Sequence, residues 1–306
     1  MILDQQEINT YLQDYHAGKI AMGKGIGSHS LDDSVRYKQG EFTIINGLDN
    51  VGKTDFILWY AVALSMKHNV KWCIYSGENK SGQLVRKLIQ FLTGKKVIDM
   101  ELSDVFHAEL KIKEWFTFID NKPFYKLEQL LDIFKKGDYQ ACLIDPFTGL
   151  DRGFTHSDNY NFLNTCRNFC INTNISIYVN THVTTEAARK TYSDNHEWAG
   201  YQFPPAKPDC EGGQSFGNRP DAVFTVHRLL GHPIMGNKTM FYSRKVKDTE
   251  TGGKVSAIDS PILLDYNNGL GFTIDGINPL TSVIASEKVQ APIEENKDFD
   301  NEIAPF

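Results

Sequence analysis

The segment Gly47–Thr54, GLDNVGKT, has the glycine, four-residue gap and Gly-Lys-Thr spacing of a phosphate-binding loop. It joins the apolar run EFTIIN to the helix-forming stretch DFILWYAVALSMKH, which is the strand-to-helix context that this motif requires. Backbone N–H groups of such a loop point at phosphate oxygens. We therefore expect Lys53 to reach the β- and γ-phosphates and Thr54 to hold Mg²⁺. The predicted nucleotide-binding residues are Gly47, Asp49, Asn50, Val51, Gly52, Lys53, Thr54 and Asp55.

Two carboxylates follow other apolar runs. Asp145 ends QACLID, and Glu78 ends WCIYSGE. Because parallel strands bring their carboxyl ends to one edge of a sheet, we expect both side chains near the phosphates. Asp145 is predicted to lie at the metal and Glu78 to activate the attacking water. The alternative for Asp145 is an aspartate that simply ends a strand.

The elements that must position these residues alternate between strand and helix from about residue 40. Apolar strands separated by helices indicate an α/β fold with a mainly parallel sheet covered on both faces. The last strands follow one another without helices, so that part is predicted to be antiparallel. Predicted strands are EFTIING, VKWCIYSGE, WFTFID, QACLIDPF, ISIYVNTH, DAVFTVHR, TMFYSRKV and SPILLDYN; predicted helices are GKTDFILWYAVALSMKH and SGQLVRKLIQFLTG.

Composition sets broad limits on the function. The chain has 306 residues and a net charge of -6, which argues mildly against a large nucleic-acid surface without excluding one. Its five cysteines lack zinc-ribbon spacing, so we expect reduced core cysteines and no structural zinc. The acidic, polar start MILDQQEINTYLQ does not resemble a signal peptide, and no apolar run approaches the ~20 residues that span a bilayer. We expect a soluble cytoplasmic protein.

Three parts are predicted along the chain. Residues 1–30 form an arm whose helix, ILDQQEINTYLQDY, packs either on its own domain or on a neighbouring subunit. Residues 31–285 form the nucleotide-binding domain. Residues 286–306 are acidic and polar, and we expect this tail to be disordered.

Several segments resemble the bacterial replicative helicases of DnaB type and the phage primase-helicases, in the order found in that family. YSGENKSGQLVRKL resembles S-L-E-M-x-x-x-Q-L-x-x-R, and CEGGQSFGNRPDAVFTVHR resembles a G-S…A-D…R segment. LDDSVRYKQGEFTIINGLDNVGKT resembles the start of the family's ATPase core, VNTH its phosphate-sensing strand, and SRKVKDTETGG its K-x-R-N-G-x-T-G segment. The resemblance runs from about residue 30 to residue 275 and covers the ATPase core alone.

The resemblance implies a RecA-like P-loop NTPase core that assembles into a hexameric ring. It implies that Glu78 is the catalytic base, that Asp145 binds Mg²⁺ through water, and that His182 senses the γ-phosphate. The family's K-x-R segment supplies basic residues to the neighbouring subunit's nucleotide. We call the residue that reaches the neighbouring nucleotide the finger. Register favours Lys245 and Lys247 for it, with Arg244 as a competitor. A lysine cannot make the bidentate phosphate contact of an arginine.

DNA contacts are expected from the loops that follow Asp145 and His182, GLDRGFTHSDNYN and TTEAARKTYSDNHEWAGYQFPPAKPDCEGGQSFGNR. Basic residues among aromatic ones suit binding to the backbone of single-stranded DNA. The alternative is a solvated loop that covers the nucleotide. The predicted DNA-binding residues are Arg152, Arg189, Lys190, Lys207 and Arg219.

The leading hypothesis is an NTP-dependent, ring-forming DNA helicase that translocates on single-stranded DNA in phage replication, with ATP, dTTP or another NTP and Mg²⁺ as cofactors. The tail DFDNEIAPF resembles the acidic tips of bacterial single-strand-binding proteins, so a polymerase, a primase or another replication protein is a predicted partner, with a solubilising role as the alternative. Two other functions stay open. One is a recombinase-like or mediator DNA-dependent ATPase that does not unwind, and the other is a P-loop kinase or signalling NTPase without DNA.

Overall fold

The computed structural model describes residues 5–19, 22–257 and 259–281. The predicted acidic tail, residues 286–306, lies outside these ranges. Its strands are β1 Phe42–Asn46, β2 Trp72–Ser76, β3 Phe116–Phe118, β4 Ala141–Asp145, β5 Ser176–Thr181, β6 Ala222–His227, β7 Lys238–Val246, β8 Ile262–Tyr266 and β9 Phe272–Thr273. Its α-helices are α1 Gln5–His16, α2 His29–Asp32, α3 Lys53–His68, α4 Ser81–Thr93, α5 Leu102–Trp115, α6 Leu127–Lys136, α7 His156–Thr173, α8 Thr185–Arg189 and α9 Ser215–Asn218.

The described strands form one mixed sheet in the order β3-β2-β4-β5-β1-β6-β7-β8-β9. Strands β1 to β6 are parallel, and β7, β8 and β9 continue the sheet antiparallel. The predicted α/β class, with a mainly parallel sheet and an antiparallel C-terminal extension, is confirmed. The four strands β2, β4, β5 and β1 are neighbours, so their carboxyl ends lie side by side.

The antiparallel part begins at β7. Strand β6, predicted as DAVFTVHR, pairs parallel to β1, with Ile44 opposite Val223. The long connection after β5 returns the chain to the end at which the parallel strands begin. Only the short helices α8 and α9 lie in that connection, so the sequence shows no obvious crossover helix before β6.

The first face of the sheet is organised around α3. This helix is apolar on nearly every side because it lies between the sheet, α4 and the antiparallel extension. Phe56 packs on Phe241 at 4.9 Å between ring centroids, and Trp59 packs edge-on against Phe272 at 5.3 Å. Burial of each such ring contributes roughly 1.5–3 kcal/mol. These contacts fix the helix that follows the phosphate loop against β7 and β9.

The opposite face is covered by α6 and α7. Their inward residues, such as Leu130, Phe134 and Leu163, are fully buried against the sheet. All five cysteines, Cys73, Cys142, Cys166, Cys170 and Cys210, are free and buried, as predicted for core cysteines. Burial raises the pKa of each of these thiols.

The arm divides into two parts. Helix α1 has no buried residue, and Ile8, Leu12 and Tyr15 of its predicted apolar face are exposed. The chain joins the core before residue 31, since Ile26 is fully buried and its N–H donates to Asp32 Oδ1 at 2.7 Å. The predicted boundary at residue 30 stays a prediction. No helix in the described ranges is both long enough and apolar enough to cross a membrane.

Candidate functional site

The loop between β1 and α3 adopts the conformation of a phosphate cradle. Asn50 and Gly52 have positive φ angles of 61° and 94°, and α3 begins at Lys53. Gly47 cannot carry a side chain, because a Cβ there would lie 2.4 Å from the backbone oxygen of Val226. The loop borders a cavity of about 540 Å³. This cavity is lined by Asp49, Asn50, Gly52, Lys53, Thr54, Asp55, Glu78, Asn79, Lys87, Asp145, Pro146 and His182.

Lys53 is held in place by the loop itself. Its Nζ donates to the backbone oxygens of Gly47 and Leu48, both at 2.8 Å. Burial lowers the pKa of Lys53, and the carboxylates of Asp49, Asp145 and Glu78 oppose that change. Phosphate oxygens are stronger acceptors than these carbonyls, so the ammonium group is placed to turn towards a bound phosphate.

A pair of oxygen ligands lies beside Lys53. Thr54 Oγ1 donates to Asp145 Oδ2 at 2.8 Å, and Asn180 Nδ2 donates to Asp145 Oδ1 at 2.7 Å. Burial raises the pKa of Asp145, and both hydrogen bonds act against that change. A hydroxyl and a carboxylate suit Mg²⁺, which prefers oxygen ligands and keeps several waters. The two residues predicted to hold the metal therefore fit it.

Three loops meet at His182. Its Nδ1 lies 2.7 Å from Asp49 Oδ1 in the phosphate loop, and its Nε2 lies 3.4 Å from Glu78 Oε1. Glu78 lies two residues beyond the end of β2, not in the strand as the run WCIYSGE suggested, and 57% of its side chain is exposed. The arrangement puts a carboxylate and an imidazole side by side in the lining of the cavity that also contains Lys53.

The position of Glu78 depends on a close backbone contact. A Cβ on Gly77 would lie 2.9 Å from the Cα of Gly149, so the two glycines pack without side chains between them. Gly77 N–H donates to the Asp145 backbone oxygen at 2.9 Å, and Tyr75 OH donates to the Gly149 oxygen at 2.8 Å. The loop that carries Glu78 is thereby fixed to the loop that follows Asp145.

Asp55 borders the cavity but is already paired. Its carboxylate forms an ion pair with Lys87 and accepts a hydrogen bond from Tyr266 OH at 3.1 Å. Arg228 lies over the Tyr266 ring at 4.3 Å and next to Gly52, so the two side chains lie beside the phosphate loop.

Sequence reasoning missed three residues that line the cavity, Asn79, Lys87 and Pro146. It also missed three that lie beside it, Asn180, Arg228 and Tyr266. A signal existed for Lys87, which occupies the last basic position of the family segment S-L-E-M-x-x-x-Q-L-x-x-R. Asn180 lies in the quoted strand VNTH, two residues before His182. Arg228 is the last residue of the quoted segment CEGGQSFGNRPDAVFTVHR and matches the arginine of the family's G-S…A-D…R segment, so a signal existed for it as well. Tyr266 belongs to β8, and no local pattern connects it with the loop.

The three finger candidates lie away from the cavity of their own chain. Arg244 donates to the Pro205 oxygen at 3.1 Å and stacks on Tyr242 at 4.0 Å. The Nζ of Lys245 donates to the backbone oxygens of Asn218 and Pro220, both at 2.6 Å, and burial lowers its pKa to about 8. The side chain of Lys247 is 57% exposed, with Asp221 Oδ1 at 3.5 Å.

The predicted DNA-binding residues are not equally accessible. Arg189 is exposed at the end of α8, and Lys190 lies 3.4 Å from Asp209. Lys207 begins a short 3₁₀ turn and is partly buried. Arg219 stacks on Tyr160 at 4.8 Å and is hydrogen-bonded to Asn164. Arg152 is largely buried, with 14% of its side chain exposed.

The two segments expected to contact DNA contain more structure than predicted. Residues His156 onward of the first segment belong to α7, and the second contains α8 and α9. In the second segment Tyr192 is buried in a small apolar cluster with Met240 and Tyr242 of β7, against which Trp198 and Tyr201 pack. These aromatic side chains fold onto the sheet extension because a continuous apolar surface is available there.

The sheet order, the loop at Gly47–Thr54 and the carboxylates at adjacent strand ends are those of a RecA-like P-loop fold. The same fold is found in the structure titled "ATPase Domain of G40P", with a TM-score of 0.69, 14% identity, and coverage of 88% of this chain and 98% of that one. It is also found in "The Structure Of A DnaB-Like Replicative Helicase And Its Interactions With Primase", with a TM-score of 0.66, 14% identity, and coverage of 89% and 67%. No protein-family model and no curated protein sequence matches the chain. The chain thus has the fold of DnaB-type helicase ATPase domains.

Proposed function

We propose that this chain is the motor domain of a ring-forming, NTP-driven DNA helicase that acts in phage replication. The single observation that carries the proposal is the convergence of Lys53, Thr54, Asp145 and Glu78 on one cavity. This convergence occurs in a fold shared with DnaB-like replicative helicases at a TM-score of 0.66. Because a fold hosts many functions, the site residues carry the chemical part of the argument.

The cavity residues divide the work of phosphoryl transfer. Lys53 and the loop N–H groups bind the β- and γ-phosphates of ATP, dTTP or another NTP. Thr54 and Asp145 would hold Mg²⁺, which neutralises phosphate charge when bound. Glu78 accepts the proton of the attacking water. His182 lies 3.4 Å from Glu78, so it is placed to respond to the γ-phosphate beside that base.

The base of the nucleotide would extend from the phosphate loop towards Arg228 and Tyr266. The two side chains stack at 4.3 Å beside Gly52, and an aromatic ring with an adjacent guanidinium offers a planar apolar surface to any nucleobase. Such a surface favours stacking over hydrogen-bonded base recognition. We therefore expect weak discrimination between ATP and dTTP.

The finger is proposed to act between subunits. None of Arg244, Lys245 and Lys247 lines the cavity described above. Of the three, Lys247 is the one whose side chain is mostly exposed, so it is our candidate for the residue that reaches the neighbouring nucleotide. A finger supplied in trans makes hydrolysis depend on assembly, and a hexameric ring is the proposed assembly.

Two measurements test this function together. The first is NTP hydrolysis with and without single-stranded DNA, and the second is the mass in solution with a non-hydrolysable NTP. Strong stimulation by DNA, a six-subunit mass and unwinding of a forked duplex are expected. A DNA-stimulated ATPase that does not unwind would favour the recombinase-like alternative, and a monomer indifferent to DNA would contradict the motor.

A subunit-mixing experiment tests the shared site. Glu78→Gln subunits and Lys247→Ala subunits are each expected to be nearly inactive alone. Mixing them creates some interfaces that contain both an intact Glu78 and an intact Lys247, so part of the hydrolysis should return. Mixtures of two Glu78→Gln preparations are the control. Absence of recovery in the first mixture would contradict a finger from Lys247.

The proposed partner of the tail is tested by deletion. Removing residues 290–306 is expected to reduce binding to a replicative polymerase or primase and to leave NTP hydrolysis unchanged. Unchanged binding would contradict a partner role for the tail. The tail lies outside the described residues, so the expectation rests on its sequence alone.

A further inference from the structure

Arg152, predicted as a DNA contact, is held by its own chain. Its guanidinium lies 4.0 Å above the Phe147 ring and 5.1 Å from the Phe154 ring. Its Nη2 lies 3.5 Å from Glu211 Oε1, and its Nη1 donates to the Gly153 oxygen at 3.3 Å. Only 14% of the side chain is exposed, which is little for a residue whose task is to bind a DNA phosphate.

Glu211 connects Arg152 to the phosphate side of the site. The N–H of Glu211 donates to the backbone oxygen of His182 at 2.8 Å. The contact is part of a short antiparallel pairing in which Val183 lies opposite Cys210 and Thr184 N–H donates to the Asp209 oxygen at 2.9 Å. A displacement of Glu211 therefore moves the backbone of His182.

Phe147 connects the other side of Arg152 to the metal site. Phe147 lies two residues after Asp145, is buried, and packs on Phe162 and Phe216 at 4.6 and 4.9 Å between ring centroids. The ring on which Arg152 rests is therefore rigid with respect to Asp145. The ion pair between Arg152 and Glu211 joins the loop after Asp145 to the segment whose backbone is hydrogen-bonded to His182.

A cavity lies next to this junction. Its volume is about 440 Å³, and Thr148, His182 and Glu211 are among the residues that border it. The space lets the Glu211 segment shift relative to the Asp145 loop without a clash at that side. The ion pair between Arg152 and Glu211 therefore adds a link beside this space to the one that Phe147 and Phe216 already form between the two loops.

We propose that Arg152 and Glu211 are positioning residues that couple DNA binding at the loops after Asp145 and His182 to the placement of His182 beside Glu78. The proposal rests on the proposed function, since it assigns a route by which single-stranded DNA stimulates hydrolysis. In it Arg152 acts through Glu211 and does not bind a DNA phosphate. Loss of either side chain removes this link next to His182 and leaves the contact between Phe147 and Phe216 in place.

Glu211→Gln is the main test, because the variant removes one charge from a side chain that is 40% exposed and keeps its shape. We expect the ratio of DNA-stimulated to basal hydrolysis to fall about fivefold or more, the usual size of coupling between two sites. Glu186→Gln makes the same chemical change at an exposed position on α8 and should keep the wild-type ratio. Thermal melts of both variants check the folded state.

A double-mutant cycle separates the two roles of Arg152. If Arg152 acts through Glu211, then Arg152→Gln, Glu211→Gln and the double variant should lower the ratio equally, because each breaks the same link. A phosphate-binding Arg152 predicts a different pattern. Arg152→Gln would then weaken binding of single-stranded DNA and reduce its salt slope by about 1, whereas Glu211→Gln would not.

The outcomes distinguish this proposal from the proposed function. If DNA stimulates the wild type and Glu211→Gln keeps the wild-type ratio, the coupling role is wrong and the helicase proposal stands. Additive effects in the cycle, or a changed salt slope in Arg152→Gln alone, also overturn the coupling role. If DNA does not stimulate the wild type, both proposals are wrong.

Discussion

The nucleotide cavity and the basic segment Arg244–Lys247 differ in how completely the chain satisfies its own charged groups. In the cavity, Lys53 has two backbone acceptors and Asp145 has two donors. In the basic segment, the side chain of Lys247 is 57% exposed and has a single acceptor nearby, Asp221 Oδ1 at 3.5 Å. Lys53 and Asp145 are therefore held more completely by their own chain than Lys247 is.

The largest expected effect is in the cavity. Glu78→Gln should lower kcat for NTP hydrolysis about 10²–10⁴-fold, the usual contribution of a general base. Nucleotide binding should be retained, because the amide keeps the size of the carboxylate and Lys53 stays in place. Single-turnover hydrolysis and titration with a fluorescent nucleotide check the two parts. Substantial hydrolysis by this variant would show that another residue is the general base.

The basic segment should divide into a catalytic and a structural part. Lys247→Ala is expected to lower hydrolysis by about 10²-fold or more and to leave the melting temperature unchanged. Arg244→Ala removes a hydrogen bond to Pro205 and a stack on Tyr242, so a loss of roughly 1–3 kcal/mol in the free energy of unfolding is expected. NTP hydrolysis and thermal melts are measured for both variants. Equal changes in the two variants would show that the segment does not divide into a catalytic and a structural part.

Strand β6 lies between β1, which leads into the cavity, and β7, which carries the basic segment. A histidine at its end predicts how the free energy of unfolding depends on pH. Burial lowers the pKa of His227 at the end of β6 to about 4, from an ordinary value of 6.5. The unfolded chain therefore binds more protons between these two values, and stability falls as the pH drops from about 6.5 to about 4. The loss by pH 4 is about 3 kcal/mol.

Urea unfolding at pH 7 and at pH 4.5 measures this contribution. His227→Gln should reduce the difference in unfolding free energy between the two pH values. His107→Gln, at an exposed position on α5, should leave that difference as in the wild type. If both variants keep the wild-type difference, His227 is not the group that titrates.

The smallest expected effect concerns the backbone that places Glu78. Gly77→Ala should destabilise the fold by about 1–3 kcal/mol, because its methyl group would lie 2.9 Å from the Gly149 Cα. Gly82→Ala is the matched control, since a Cβ at this helical position meets nothing within 4 Å and should stabilise α4 by about 0.5–1 kcal/mol. Urea titration of both variants measures the contrast, and a neutral Gly77→Ala would show that the loops can separate.

The sequence predicted the part of the site that depends on strand ends. A run such as QACLID predicts both a buried strand and a polar residue at its carboxyl end. Parallel pairing then brings Asp145, Glu78 and His182 together without any knowledge of the strand order. Their roles stay predictions, but their common location follows from a local pattern and one general rule.

The rest of the site depends on contacts between distant segments. The hydrogen bond from Asn180 to Asp145 requires that β5 lie next to β4, and no local pattern specifies that neighbour. The aromatic residues after His182 have the same composition whether they stack on DNA bases or fill an apolar cluster. The partner surface on β7, Met240 and Tyr242, decides between these outcomes.

The buried cysteines make the chain suitable for labelling chemistry. A thiol reacts as its thiolate, and burial both raises the pKa of all five thiols and blocks reagents from them. A cysteine introduced at Ile98, whose side chain is 90% exposed, would therefore be modified selectively by a maleimide dye. Energy transfer between differently labelled copies would then test in real time whether copies of the chain associate, with the native cysteines left in place.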